Sequence, residues 1–208
     1  MCLADAFPAE VAGSVAAVLS ALEACSDLRR LYSPNSSFPE LASGYVGSHK
    51  VVAGPCVQGQ RLVLPYRIYK GWPSPESVSL EGSDLDVAAC LMTRYADGFI
   101  RQAWLPVLLR STAPWTVPYV VALLGEYVVQ IIQEIAETWR GWADDDERAR
   151  LVAEFTANNA PYAALMRMRS VTYWDIYYRR EVTRWRDYPA AEAFTHMNHW
   201  ACTQSGQA

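Results

Sequence analysis

Residues Pro118 to Trp139 constrain the fold more than any other stretch of the chain. In Pro118-Tyr-Val-Val-Ala-Leu-Leu-Gly-Glu-Tyr-Val-Val-Gln-Ile-Ile-Gln-Glu-Ile-Ala-Glu-Thr-Trp139 the polar residues Glu126, Gln130, Gln133, Glu134 and Glu137 fall at i, i+4, i+7, i+8 and i+11. At about 100 degrees per residue they share one stripe of a helix, which Tyr119 and Ala122 extend upstream. The rest of the circumference is apolar, so neighbours must cover it on more than one side. The pattern predicts one continuous inner helix over residues 118–139, enclosed in a helical assembly.

The 208 residues, 51% hydrophobic and 19% charged, predict a single globular domain over residues 1–208 with a substantial core. Twelve tyrosines and eight tryptophans are a heavy aromatic load, and part of it suits a partner or ligand surface. The net charge of −4 argues against a dedicated nucleic-acid binder. Cysteines 2, 25, 56, 90 and 202 are odd in number, scattered, and form no C-x-x-C pair. A disulfide framework or structural zinc site is therefore not expected. Met1-Cys2-Leu3-Ala4-Asp5 shows neither a basic nor an apolar leader, and Gly125, Glu126 and Gln130 interrupt the apolar run before it could span a bilayer. The expectation is a cytoplasmic protein with no membrane partner.

Along the chain, Pro8 to about Leu31 reads as a first helix and Ser33-Pro-Asn-Ser-Ser37 as a loop. Lys50–Val57 and Arg61–Tyr69 are β-branched and aromatic runs joined across Gln58-Gly59-Gln60, which predicts a β-hairpin inserted at about residues 48–70. Pro55 and Pro65 each remove a ladder donor, leaving a free edge that keeps homo-oligomerisation open. Ser83 reads as the N-cap of a helix running to about Tyr95, and Phe99–Arg110 as the next. After the inner helix come helices at 144–157, 161–187 and 189–202. About seven helices with short connections predict a mainly α fold of stacked antiparallel pairs or an orthogonal bundle.

Within this arrangement residues 84–139 resemble a HEAT-type helical repeat. A helix pair breaks at Asp97, Ile100-Arg101 follows, and Pro106 and Leu108 sit inside the second helix. In that family the aspartate and arginine form a ladder between repeats and the proline bends a helix. The small residue expected three positions after the arginine is Trp104 here, and no second copy recurs at a period of ~40. The resemblance implies stacked helical pairs.

Four groups of residues carry candidate chemistry. Glu126 either begins the solvated stripe, facing water or a basic neighbour such as Arg101, or is a buried carboxylate with a raised pKa, acting as an acid, a base or a ligand hook. On a concave face Tyr119, Glu126, Gln130 and Gln133 would act together. Tyr66-Arg67-Ile68-Tyr69 sets an arginine between tyrosines on a free-edged strand, a recognition element for a peptide or small anion. Simple alternation would instead send Leu64, Tyr66 and Ile68 inward and leave Arg67 and Tyr69 in water. Glu192, His196 and His199, at i, i+4 and i+7 with Cys202 one turn further on, have a spacing that could hold a divalent ion, but no fourth ligand pair is visible and metal is not favoured. In the 161–187 helix, Arg167, Arg169, Arg179, Arg180, Arg184 and Arg186 interleave with aromatics, as a nucleic-acid groove does. Trp174, Tyr177, Tyr178 and Trp185 there also read as a buried stripe, and Asp175, Glu181 and Asp187 dilute the charge.

There is no phosphate-binding glycine loop, no dinucleotide fingerprint, no H-E-x-x-H and no G-x-S-x-G. No cofactor is expected. The reading is a non-enzymatic protein-interaction module, of adaptor, inhibitor or immunity type. It would bind another protein through the hairpin and the striped face of the inner helix. The alternative is a small-molecule binder or enzyme with an interhelical pocket at Glu126 and Arg101, and nucleic-acid binding ranks third.

Overall fold

The computed structural model describes residues 3–24 and 54–205. The expected strand start at Lys50-Val-Val-Ala53, the end of the first helix and the Ser33–Ser37 loop lie outside them. Among the described residues the chain is mainly helical with one small hairpin. The described helices are α1 (Ala12–Ala24), α2 (Gly82–Met92), α3 (Gly98–Arg110), α4 (Val117–Leu124), α5 (Val129–Arg140), α6 (Glu147–Asn158), α7 (Ala160–Tyr173) and α8 (Pro189–Ser205).

Every residue of α4 is buried, and α3, α5, α6 and α7 all pack on it. Its sequence offers no polar side chain except Tyr119, whose hydroxyl donates to Ala6 O at 2.8 Å while its ring stacks on Phe7. The expected inner position is observed, but the expected continuity is not. Residues 118–139 form two helices, parted at Gly125–Val128. A Cβ on Gly125 would stand 3.0 Å from Met166 Sδ of α7, so glycine lets that helix close in. After the break, Gln130 and Gln133 face solvent while Tyr119 and Glu126 are buried. The four residues therefore do not share a face.

Around this centre, α8 lies across α5 and α6, and α2 bridges α1 and α3. Two helix starts have side-chain caps: Asp97 accepts from Phe99 N, and Asp146 from Arg148 N, each at 2.8 Å. Ser83, the expected cap of α2, lies inside that helix; Glu81 occupies the cap position without a side-chain bond.

The hairpin is much shorter than residues 48–70. Strands β1 (Cys56–Val57) and β2 (Gln60–Arg61) pair Cys56 with Arg61 and Val57 with Gln60. Gln58 and Gly59 both have positive φ, 50° and 79°, the conformation a two-residue hairpin turn needs. Asn159, between α6 and α7, does the work of a third strand. It accepts from Cys56 N at 2.6 Å and donates to Cys56 O at 2.9 Å. Such an anchor is needed because a lone hairpin is marginal in water.

Beyond β2 the chain runs extended but is fastened piecemeal. Val63 N donates to Asp5 O, Ile68 N to Arg94 O, and Ala96 N to Ile68 O, at 2.8–2.9 Å. Pro65 has no donor to offer and the backbone bends at Tyr66, so side-chain alternation fails there. Tyr66 turns to the surface and Arg67 turns inward, the reverse of the expected pattern.

The 161–187 segment is also not one helix. After Tyr173 a π-helical turn spans Trp174–Tyr178, and a short 3-10 turn follows at Trp185–Asp187. The wider turn shifts the register. Trp174 stays buried while Tyr177, expected beside it in the stripe, is 59% exposed.

Candidate functional site

Glu126 occupies the break between α4 and α5, and only 1% of it is exposed. Three arginines from three other parts of the chain converge on it. Arg67, from the extended segment, grips it with both terminal nitrogens: Nη1 donates to Oε1 at 2.9 Å and Nη2 to Oε2 at 2.5 Å. Arg94, just past α2, donates from Nη1 to Oε1 at 3.1 Å. Arg101, on the first turns of α3, places Nη2 3.9 Å from Oε2. Arg94 and Arg101 are themselves buried.

Such a cluster tolerates burial because most of its guanidinium nitrogens find an acceptor. Arg94 Nε and Nη2 donate to the carbonyls of Pro65 and Tyr66, each at 3.0 Å. Arg101 Nη1 donates to the carbonyls of Tyr95 and Ala96, at 2.7 and 2.9 Å. These four carbonyls belong to irregular backbone that no helix or strand would otherwise satisfy. The guanidinium forks thus serve two purposes, tying loops together and neutralising Glu126.

The titration behaviour follows from this geometry. Burial pushes the Glu126 carboxyl up, but Arg94, the Arg67 hydrogen bond and Arg101 together hold it below the ordinary carboxylate value. Burial lowers Arg94 and Arg67 lowers it further, against the opposing pull of Glu126. Three guanidinium groups face one carboxylate, so the interior here is left positive. Burial pushes the nearby Tyr162 phenol up to about 12 despite the charges of Arg94 and Arg169.

One arginine keeps unused donors. Arg101 Nε and Nη2 are buried and have no hydrogen-bond partner among the described residues. The ring of Tyr127 covers this guanidinium, with its centroid 5.8 Å from Cζ. Tyr127 is 44% exposed and leads outward to an aromatic surface. It packs against Tyr173 and Tyr177, and its carbonyl accepts from the Tyr178 hydroxyl at 2.6 Å. Tyr66 joins on the other side, its ring beneath the Arg67 guanidinium at 4.9 Å.

The residues singled out in the sequence are therefore divided. Arg67, Arg101 and Glu126 meet, with Tyr66 at their rim. Tyr119 is sealed in the core, and Tyr69, Gln130 and Gln133 are exposed without joining the cluster. Arg94 was missed, although an arginine following the apolar run Val87-Ala-Ala-Cys-Leu-Met92 signals a buried partner in the same way as Glu126.

The remaining candidates are engaged elsewhere. Glu192 forms a bidentate pair with Arg140, both distances 2.6 Å, and His199 Nε2 lies 3.2 Å from Asp144 Oδ2. Among the described residues no group of three or more His, Cys, Asp or Glu is placed to hold a metal ion. In the arginine-rich segment, Arg179 and Arg184 pair with Asp175 and Asp187. A cavity bordered by Leu108, Val120, Trp139 and Val152 has about 20 Å³, room for one water molecule. Among the described residues no helix is long and apolar enough to cross a membrane. No family model, curated protein or solved structure matches the chain.

Proposed function

We propose that the chain is a protein-interaction module whose binding surface is the aromatic patch around Tyr127, carried on the buried arginine cluster. The observation that supports this most is the exposure of Ile176 (63%) and Tyr177 on the π-helical turn, beside Tyr127 and Tyr173. Tyrosine and arginine are the residue types that dominate binding energy at protein interfaces, and single π-helical turns recur at functional sites. The surface is also stiff. Arg67, Arg94 and Glu126 fix the turn that carries Tyr127, and Tyr178 ties that turn to the π-helical turn after α7, so little ordering remains to oppose binding.

A small-molecule site at Glu126 finds less support. Both of its carboxylate oxygens are taken by arginines.

The test is capture from the native source by the wild-type chain and by an Ile176→Ser/Tyr177→Ala variant. Both side chains are exposed, so thermal stability is expected to change by no more than ~0.5 kcal/mol. A specific protein bound by the wild type is expected to be absent with the variant. Equal recovery of every captured protein would overturn the proposal.

A further inference from the structure

We infer that the unused edge of Arg101 is a site for one oxyanion, a carboxylate or phosphate group, entering beneath Tyr127. The two atoms that find no hydrogen-bond acceptor among the described residues, Nε and Nη2, are neighbours on one side of the guanidinium, with Nη2 in a long ion pair 3.9 Å from Glu126 Oε2. That side presents two parallel N–H groups spaced to match two oxygens of a carboxylate or phosphate. Elsewhere this chain uses the same edge in that way. Arg140 donates from Nε and Nη2 to the two oxygens of Glu192, and Arg148 donates from the same pair of atoms to the two oxygens of Asp146. Arg101 is more deeply buried than either, so unmet donors there cost more, yet the described residues give this edge no hydrogen-bond acceptor.

The charge around it points the same way. Arg67, Arg94 and Arg101 share a single carboxylate, and Arg169 adds to the field felt by Arg94. An excess of positive charge in a dry interior attracts a second anion. Glu126 cannot serve as that anion without releasing Arg67, which holds both of its oxygens. Phosphate or carboxylate, by contrast, satisfies Nε and Nη2 together and balances the excess.

The approach is short. The half-exposed Tyr127 ring stands over the guanidinium, and a rotamer change moves it. On the flank, a Cβ at Gly98 would sit 3.6 Å from Nη2 and 3.3 Å from Val128 Cγ2, and glycine leaves that narrow space unfilled by a side chain of its own. The inference deepens the interface reading by naming the group that a partner presents there, and a free anion of the same chemistry fits equally. Ile176 and Tyr177 make no hydrogen bond to that edge. Failure of the oxyanion site and failure of the interface are therefore separately visible.

The experiment follows the Arg101 Nε–H resonance, assigned by through-bond correlation on the intact chain, so that no Arg101 variant has to fold. Inorganic phosphate, succinate and a glutamate-rich peptide are titrated separately, each against sodium chloride of equal ionic strength. A saturable shift of Arg101 Nε–H is expected with at least one probe, with the chloride control flat. A response to phosphate or succinate identifies a free-anion site, and a response to the peptide alone identifies an acidic side chain of a partner. Tyr127→Ala lowers the half-saturating concentration about two- to fivefold, the equivalent of one exposed cation–π contact. Glu126→Gln, which removes the competing anion, lowers it at least ~10-fold. No saturable shift with any probe, in both the wild type and Tyr127→Ala, overturns the inference. So does weaker binding in a folded Glu126→Gln.

Discussion

Replacing Glu126 by glutamine keeps the shape of the side chain and removes the charge that three guanidinium groups share. Removing one partner of a buried ion pair strands the other in a low dielectric, which costs about 3–5 kcal/mol. Here the stranded charges are Arg67 and Arg94, with Arg101 close by. The glutamine amide oxygen can accept from one arginine, but its NH2 then points donors at donors. For a chain of this length, each kcal/mol moves the melting temperature by roughly 2–4 °C, so a fall of about 6–20 °C is expected. The pH dependence is a second and independent readout. The Glu126 carboxyl titrates below its ordinary value when folded. Its contribution is therefore fully present above that ordinary value and is lost as pH falls through the folded one. The stability gap between wild type and Glu126→Gln should be wide at neutral pH and close in acid. Urea unfolding across a pH series measures both. As a control, Glu192→Gln removes an exposed partner of Arg140, where water screening leaves the melting temperature nearly unchanged. A gap under ~1 kcal/mol at neutral pH, or one that stays constant into acid, would refute the account of the cluster.

Two further variants test how the site is held in place. Asn159→Ala removes both hydrogen bonds to Cys56 and a third to Phe155 O, at about 2–3 kcal/mol, and hydrogen exchange at the Cys56 amide should accelerate while α8 keeps its protection. Asp146→Ala deletes the cap of α6 and should lower stability by about 1 kcal/mol in chemical denaturation.

How much of this was legible depended on whether a residue's neighbours were local. The inner position of α4 followed from an unbroken apolar run, and the start of α3 from Asp97-Gly98. The break at Gly125 did not, because an interior glycine costs a helix only about 1 kcal/mol against alanine, too little by itself to end one. Glu126 supplied the rest. A continuous helix would have carried it to the stripe of Gln130 and Gln133, whereas the break places it among Arg67, Arg94 and Arg101. Those contacts span up to 59 residues of chain, and no periodicity reports them. A weaker signal was present in the isolation of Glu126 and Arg94 beside long apolar runs, since single opposite charges in such settings need each other. Arg67 was misplaced for a different reason. Alternation assumes a laddered strand, and the bend at Tyr66 next to Pro65 ends the ladder before it reaches Arg67.

The arginines do not contribute alike, and lysine substitutions separate their roles. Arg94 uses every nitrogen: two carbonyls of the extended segment and one oxygen of Glu126. A lysine ammonium is a single point and cannot span those three acceptors, so Arg94→Lys should lose about two charged hydrogen bonds, roughly 3–6 kcal/mol. Arg101 uses one nitrogen, Nη1, for two adjacent carbonyls, and a lysine ammonium can reproduce that from one position. Its other edge makes no hydrogen bond in the folded chain alone, only the 3.9 Å ion pair of Nη2 with Glu126, which a lysine charge also supplies, and its donors are desolvated and unmet. Arg101→Lys should therefore cost clearly less than Arg94→Lys, yet abolish the response to phosphate or succinate, since lysine offers no fork. The comparison needs only unfolding curves for the two variants and one anion titration. If Arg101→Lys destabilised the chain as much as Arg94→Lys, the free edge would belong to the architecture. If it kept the anion response unchanged, the fork would have no part in recognition. A small loss of stability with a complete loss of binding is what a donor pair held open for a ligand requires.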